Sequence, residues 1–242
     1  MDICRTINKI KDEILEQKIT NKKIIGILLT GSFAKGTYHN KSDIDIFIIV
    51  DEKMDVIEHK CINYMKFITH YRICSLEKYK YDCEKHERTR PAIYSCKILM
   101  DTDGICKKYL EKSKIFLKLG PKKLDEREEH YLLANIKNEI STISGLISSE
   151  NFMAATLLIN EVIRMIISYY NNLNGYWMEN DNYLFSELKK NNIELGNIVE
   201  NIILSNNVNI KFSLLKCICK IVIPNIEEIS GEYFQIEKYE EK

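Results

Sequence analysis

Two short stretches near the N-terminus combine residue types that suit phosphoryl chemistry. The first is Leu29-Thr30-Gly31-Ser32-Phe33-Ala34-Lys35-Gly36, and eleven residues after Ser32 comes Asp43-Ile44-Asp45-Ile46-Phe47. Residues two apart on a strand project to the same face, so Asp43 and Asp45 would stand side by side while Ile44 and Ile46 enter the core. Adjacent carboxylates repel and raise each other's pKa unless a cation lies between them. Hard oxygen ligands of this kind suit Mg2+, which is commonly held by one or two carboxylates plus substrate phosphates. The first stretch offers a phosphate site. Gly31 lets backbone approach closely, Ser32 can donate its hydroxyl, and the next residues can open a helical turn with free N–H groups. Lys35 can reach a phosphate as a point charge.

The surrounding pattern supplies elements to hold these groups. Ile3, Ile7, Ile10, Ile14 and Ile19 recur at helical spacing, which predicts a first helix over 2–19. The apolar runs Ile24–Leu29 and Asp43–Val50 are too short for buried helices and read as strands. Residues 52–67 read as a helix, Ile68–Ser75 as a third strand and Lys97–Met100 as a fourth, before the turn Asp101-Thr102-Asp103-Gly104. The break Leu119-Gly120-Pro121 divides a domain over 1–120 from a second over 121–242. Beyond it helices are expected at about 124–148, 150–172, 182–191, 195–205 and 210–222, with a polar tail after Pro224 and Gly231. The fold class is therefore α+β: a mixed β-sheet domain with flanking helices, then an α-helical bundle.

Gly-Ser, a spacer, then Asp-x-Asp between apolar residues resembles the signature of the DNA polymerase beta-like nucleotidyltransferase superfamily. Gly31-Ser32-Phe33-Ala34-Lys35-Gly36 leading to Ser42-Asp43-Ile44-Asp45 is similar to its small bacterial members, which include aminoglycoside and lincosamide nucleotidyltransferases. The resemblance is tight over residues 28–50. It implies a mixed-sheet catalytic domain, Mg2+, a nucleoside triphosphate donor with ATP expected, and transfer of a nucleoside monophosphate with release of pyrophosphate. By position, Gly31 and Ser32 match the triphosphate-binding pair, and Asp43 and Asp45 the metal-binding carboxylates.

The chain departs from that pattern in three places. Superfamily members usually carry a third carboxylate on a following strand, whereas Phe67–Ser75 has none and His70 stands about where it would be expected. His70 is a substitute ligand or proton acceptor, or simply a surface histidine; Asp101 is a weaker substitute and more naturally starts its turn. The acceptor hydroxyl needs a general base. In small-molecule members this is often a carboxylate of the helical domain, and Glu161, which shares a helix face with Asn160, Arg164 and Ser168, is the candidate, set against an ordinary solvent stripe. Trp177 lacks the following proline and lysine seen in related two-domain members, so it reads as a packing anchor.

Composition excludes several classes. The chain of 242 residues is 45% hydrophobic and 29% charged, the balance of a folded globular protein. No uninterrupted apolar run approaches the roughly 20 residues of a membrane span, and the charged N-terminus has no signal-peptide core. The eight cysteines include no Cys-x-x-Cys, and Cys83–His86 and His59–Cys61 are isolated pairs, so they read as reduced thiols in a cytoplasmic protein. Residues 1–120 carry 23 basic against 17 acidic side chains and residues 121–242 carry 12 against 18. Much of the second imbalance lies in the last 17 residues, with six glutamates and two lysines. Lys107-Lys108 and Lys122-Lys123 read as solvated element ends, so no basic stripe for nucleic acid emerges. The expected function is Mg-dependent nucleotidyl transfer to a hydroxyl of a small molecule, an aminoglycoside-like antibiotic being one candidate. The alternatives are nucleotidylation of a protein or RNA, as in toxin–antitoxin systems, and a catalytically degenerate nucleotide-binding module. Homodimerisation stays open.

Overall fold

The computed structural model describes residues 3–64, 66–84 and 95–232. The chain forms two compact units, Met1–Gly120 and Pro121–Lys242. In the first, helix α1 (Ile3–Leu15) leads to β1 (Ile24–Thr30), the single turn α2 (Gly31–Lys35), β2 (Ile44–Val50), β3 (Glu58–Tyr64), β4 (Phe67–Ser75), α3 (Leu76–Glu84), β5 (Lys97–Asp101) and α4 (Ile105–Leu119). The five strands form one sheet in the order β3-β4-β2-β1-β5, in which β2 and β4 run parallel and the other neighbours antiparallel.

Both faces of this sheet are covered, which is why β1 and β2 are apolar at nearly every position. Ile27, Leu29, Ile44, Ile46 and Ile48 point to the face where α1 lays down Ile7, Ile10 and Ile14. Leu28, Phe47 and Ile49 point the other way, against Tyr79 and Cys83 of α3 and Cys106 and Leu110 of α4. Gly26 permits this second packing, because a Cβ there would lie 2.2 Å from the Cys106 sulfur. Asp45 belongs to the α3/α4 face but sits at the start of β2, beyond the cover of Phe47 and Ile49.

One element differs in type from the sequence expectation. The stretch 52–67 contains β3 rather than a helix. Its interior residues are all exposed, and it is held as an edge strand by antiparallel pairing with β4, from Glu58 opposite Ile73 to Tyr64 opposite Phe67. A long-range partner, not local periodicity, selects strand here. Helices α3 and α4 were not anticipated as elements.

The second unit holds α5 (Glu126–Ser148), α6 (Phe152–Asn174), α7 (Asp181–Asn191), α8 (Ile193–Leu204), α9 (Val208–Val222) and a short 3-10 turn, Ile226–Glu228. Asp125 starts α5 with a capping box: its carboxylate accepts from the Glu128 N–H while Glu128 accepts from the Asp125 N–H. Helix α6 is, by length and composition, apolar enough to cross a bilayer despite Glu161 and Arg164. Its Ile159, Val162, Ile163, Ile166 and Ile167 instead lie in the centre of the helical core, beside Ile136 and Ile143 of α5 and Leu215 and Ile218 of α9. The polar tail from 233 onward and His86 of the Cys83–His86 pair lie outside the described residues.

Candidate active site

Register fixes the neighbours of the acid pair. Asp45 on β2 is opposite Thr30 on β1 and beside His70 on β4, which in turn is opposite Cys61 on β3. Asp43 lies just before β2, and its Oδ2 is 3.2 Å from His70 Nε2, both side chains about half exposed. The two aspartates, Gly31, His59, His70 and Arg72 line one open cavity of about 550 Å³ in the N-terminal unit.

Gly31 does more here than free the backbone. It takes the left-handed conformation, φ +66°, and a Cβ on it would lie 2.2 Å from Asp45 Oδ2. The missing side chain is thus the space into which the carboxylate fits. Ser32 and Lys35 follow on α2, and Gly36 ends that turn with its N–H donated to the Ser32 carbonyl. Neither Ser32 nor Lys35 is part of the cavity lining, whereas Gly31 and Thr30 are.

Asp45 is held in an environment that resists its charge. Burial pushes its pKa up, the neighbouring Asp43 carboxylate pushes it further, and His70 opposes both. A carboxylate in this position gains from a cation bound between the acids. Among the described residues no three His, Cys, Asp or Glu side chains converge as a metal cage. Two hard carboxylates without a closed cage fit Mg2+, whose remaining positions go to phosphates and water.

The residues the sequence proposed fall into separate groups. Asp43, Asp45, Gly31 and His70 come together. Asp101 does not join them: it pairs with Gly26, at the far end of β1 from Thr30, and its two oxygens accept the Cys106 and Lys107 N–H groups at the start of α4. Glu161 lies exposed on α6 in the second unit, next in sequence to Asn160 and one turn from Arg164, which pairs with Asp181. Trp177 is 9% exposed, a packing residue.

Sequence reasoning missed Arg72 and His59. Arg72 lies over Phe47, its guanidinium carbon 4.8 Å from the ring centre, and pairs through Nη2 with Asp82 of α3 at 3.2 Å. His59 is directly opposite it on β3. Arg72 was legible, because it is two residues from His70 on an expected strand and must share its face. His59 was hidden by the helical reading of 52–67.

A family model, the nucleotidyltransferase domain, matches residues 7–117. The N-terminal unit is a nucleotidyltransferase domain, a class of enzyme domain whose chemistry is nucleotidyl transfer. A nucleotidyltransferase-like protein from Exiguobacterium sibiricum, known from its crystal structure, is similar at 10% identity and a TM-score of 0.48, over 93% of this chain and 77% of its own. No curated protein matches the chain.

Proposed function

We propose that the protein transfers a nucleoside monophosphate from a nucleoside triphosphate, ATP being the expected donor, to a hydroxyl group of a small molecule, with Mg2+ bound at Asp43 and Asp45. The observation that carries this reading is Asp45 seated against Gly31 and lining, together with Asp43, one open cavity. Bound there, Mg2+ would neutralise phosphate charge and polarise the reacting phosphoryl group. The acids also fix where the reacting phosphorus sits, since they cannot both approach an anionic phosphate without the ion. Gly31, with the Ser32 hydroxyl and Lys35 beyond it, receives the leaving end of the triphosphate. Transfer of this kind depends on positioning and charge compensation rather than on a covalent intermediate. Glu161 is the proposed base for the acceptor proton. The eight cysteines, none joined in a disulfide, suit the reducing cytoplasm as the place of action.

The resemblance of residues 28–50 makes an aminoglycoside one candidate among small-molecule acceptors, and modification of a protein or RNA is the second reading. Incubation with triphosphate labelled at the α-phosphorus, with cell extract and with or without Mg2+, separates them. Label in small molecules is expected. Label confined to macromolecules would select the second reading, and triphosphate bound but never cleaved would point to a degenerate module.

A further inference from the structure

We propose that the acceptor carries an anionic group, a phosphate or a carboxylate, beside the hydroxyl that receives the nucleotide, and that Arg72 and His59 bind that group. The inference rests on the nucleotidyl-transfer reading above and names the substrate class for the same site.

The layout across the sheet supports it. With the triphosphate tail at the β1 end, the leaving pyrophosphate departs toward Gly31. The attacking and leaving oxygens are roughly in line in phosphoryl transfer, so the acceptor approaches from the opposite side, over β4 and β3. In that step the acceptor oxygen forms a bond to the α-phosphorus and the bond from that phosphorus to pyrophosphate breaks. The hydroxyl proton passes to the base or to water.

The wall that meets the acceptor is cationic. On the face shared with Asp45, β4 presents Ile68, His70 and Arg72, and β3 presents His59, Cys61 and Asn63. No acidic residue lies on this face of either strand. The acid nearest Arg72 is Asp82, and its single charge is shared with Lys78, leaving the trio with a surplus of one positive charge. The guanidinium is partly buried, its carbon 4.8 Å from the centre of the Phe47 ring, and among the described residues only its Nη2 is committed, to Asp82. A planar fork fixed in place with unspent donors is suited to a phosphate or carboxylate. Arg72 is one side-chain repeat, about 7 Å, along β4 from His70, so the anion would sit within a few bonds of the reacting hydroxyl. A polycationic acceptor would find no carboxylate on this face of β3 or β4.

Turnover by the full chain, read as pyrophosphate release with ATP and Mg2+, tests the proposal with matched acceptors. Glycerol 3-phosphate and ribose 5-phosphate are set against glycerol, ribose and kanamycin, with an RNA oligonucleotide ending in a free 3′-hydroxyl as a further arm. The anionic acceptors are expected to exceed their uncharged counterparts by at least tenfold in kcat/KM. Arg72→Gln should remove most of that advantage, raising acceptor KM by about tenfold to a hundredfold while KM for ATP stays put. His59→Gln, on an exposed strand, should act in the same direction and guards against misfolding of the first variant. Preference for the RNA, lost in Arg72→Gln, would identify a phosphodiester as the source of the anion. Kanamycin or the neutral compounds performing as well as the phosphates would overturn the proposal. So would an equal loss on all acceptors in a folded Arg72→Gln protein. If none of these acceptors turns over, calorimetry with glycerol 3-phosphate and a non-hydrolysable triphosphate analogue decides: binding that does not depend on Arg72 overturns it. Failure of the underlying reading looks different, as pyrophosphate release that survives Asp45→Asn.

Discussion

Gly31 and Asp45 are fitted to one another, because one residue's missing side chain is the other's space. Gly31→Ala should therefore displace the carboxylate and strain a left-handed backbone at a cost of about 1–3 kcal/mol. Activity is expected to fall at least a hundredfold while circular dichroism stays near wild type. Asp45 itself trades stability for function. Its pKa is raised in the folded protein, so the folded state holds that proton more readily than the unfolded chain does. Stability tied to this group is then lost as pH rises from the ordinary carboxylate range through the raised value. Metal-free Asp45→Asn should melt higher than wild type at pH 7, and the difference should shrink as pH falls below that range. A thermal melt series in chelator checks this; a lower Tm for the variant at neutral pH would contradict it. The acid pair was legible because strand alternation needs only two positions. The fit of Asp45 against Gly31 was not, since it arises from the β1–β2 register, which places Thr30 opposite Asp45.

At the scale of elements, strands are placed to leave one end of one face uncovered. Phe47 and Ile49 are roofed by α3 and α4, whereas Asp45, two residues earlier, is not. Helix α4 is anchored by Asp101, whose carboxylate accepts two N–H groups at its start. Asp101→Ala should cost about 1–2 kcal/mol in denaturant unfolding and leave Mg-dependent triphosphate binding unchanged. A loss of metal binding instead would restore Asp101 to the site. The buried strands β1 and β2 announced themselves through unbroken apolar runs, and the helices of the second unit through their 3.6-residue period. Strand β3 did not, because Glu58–Tyr64 buries almost nothing and owes its form to hydrogen bonds with β4. That one misreading also concealed His59, a residue whose role exists only in the sheet.

Over the whole molecule, the described residues build separate cores: one around α6 in the helical unit, and two on the faces of the sheet. Ile163→Ala and Ile48→Ala each empty a fully buried site and should each cost about 3 kcal/mol. Scanning calorimetry should show each lowering a different part of the unfolding transition; identical shifts of one transition would show that the units unfold together. The central claim is narrower than the fold. It is tested most directly by Mg-dependent pyrophosphate release from wild type, Asp43→Asn and Asp45→Asn, with folding checked in each. Either substitution is predicted to reduce release by about a thousandfold or more, the scale of losing a charge on which transition-state stabilisation depends. Release within tenfold of wild type in either folded variant would contradict the account.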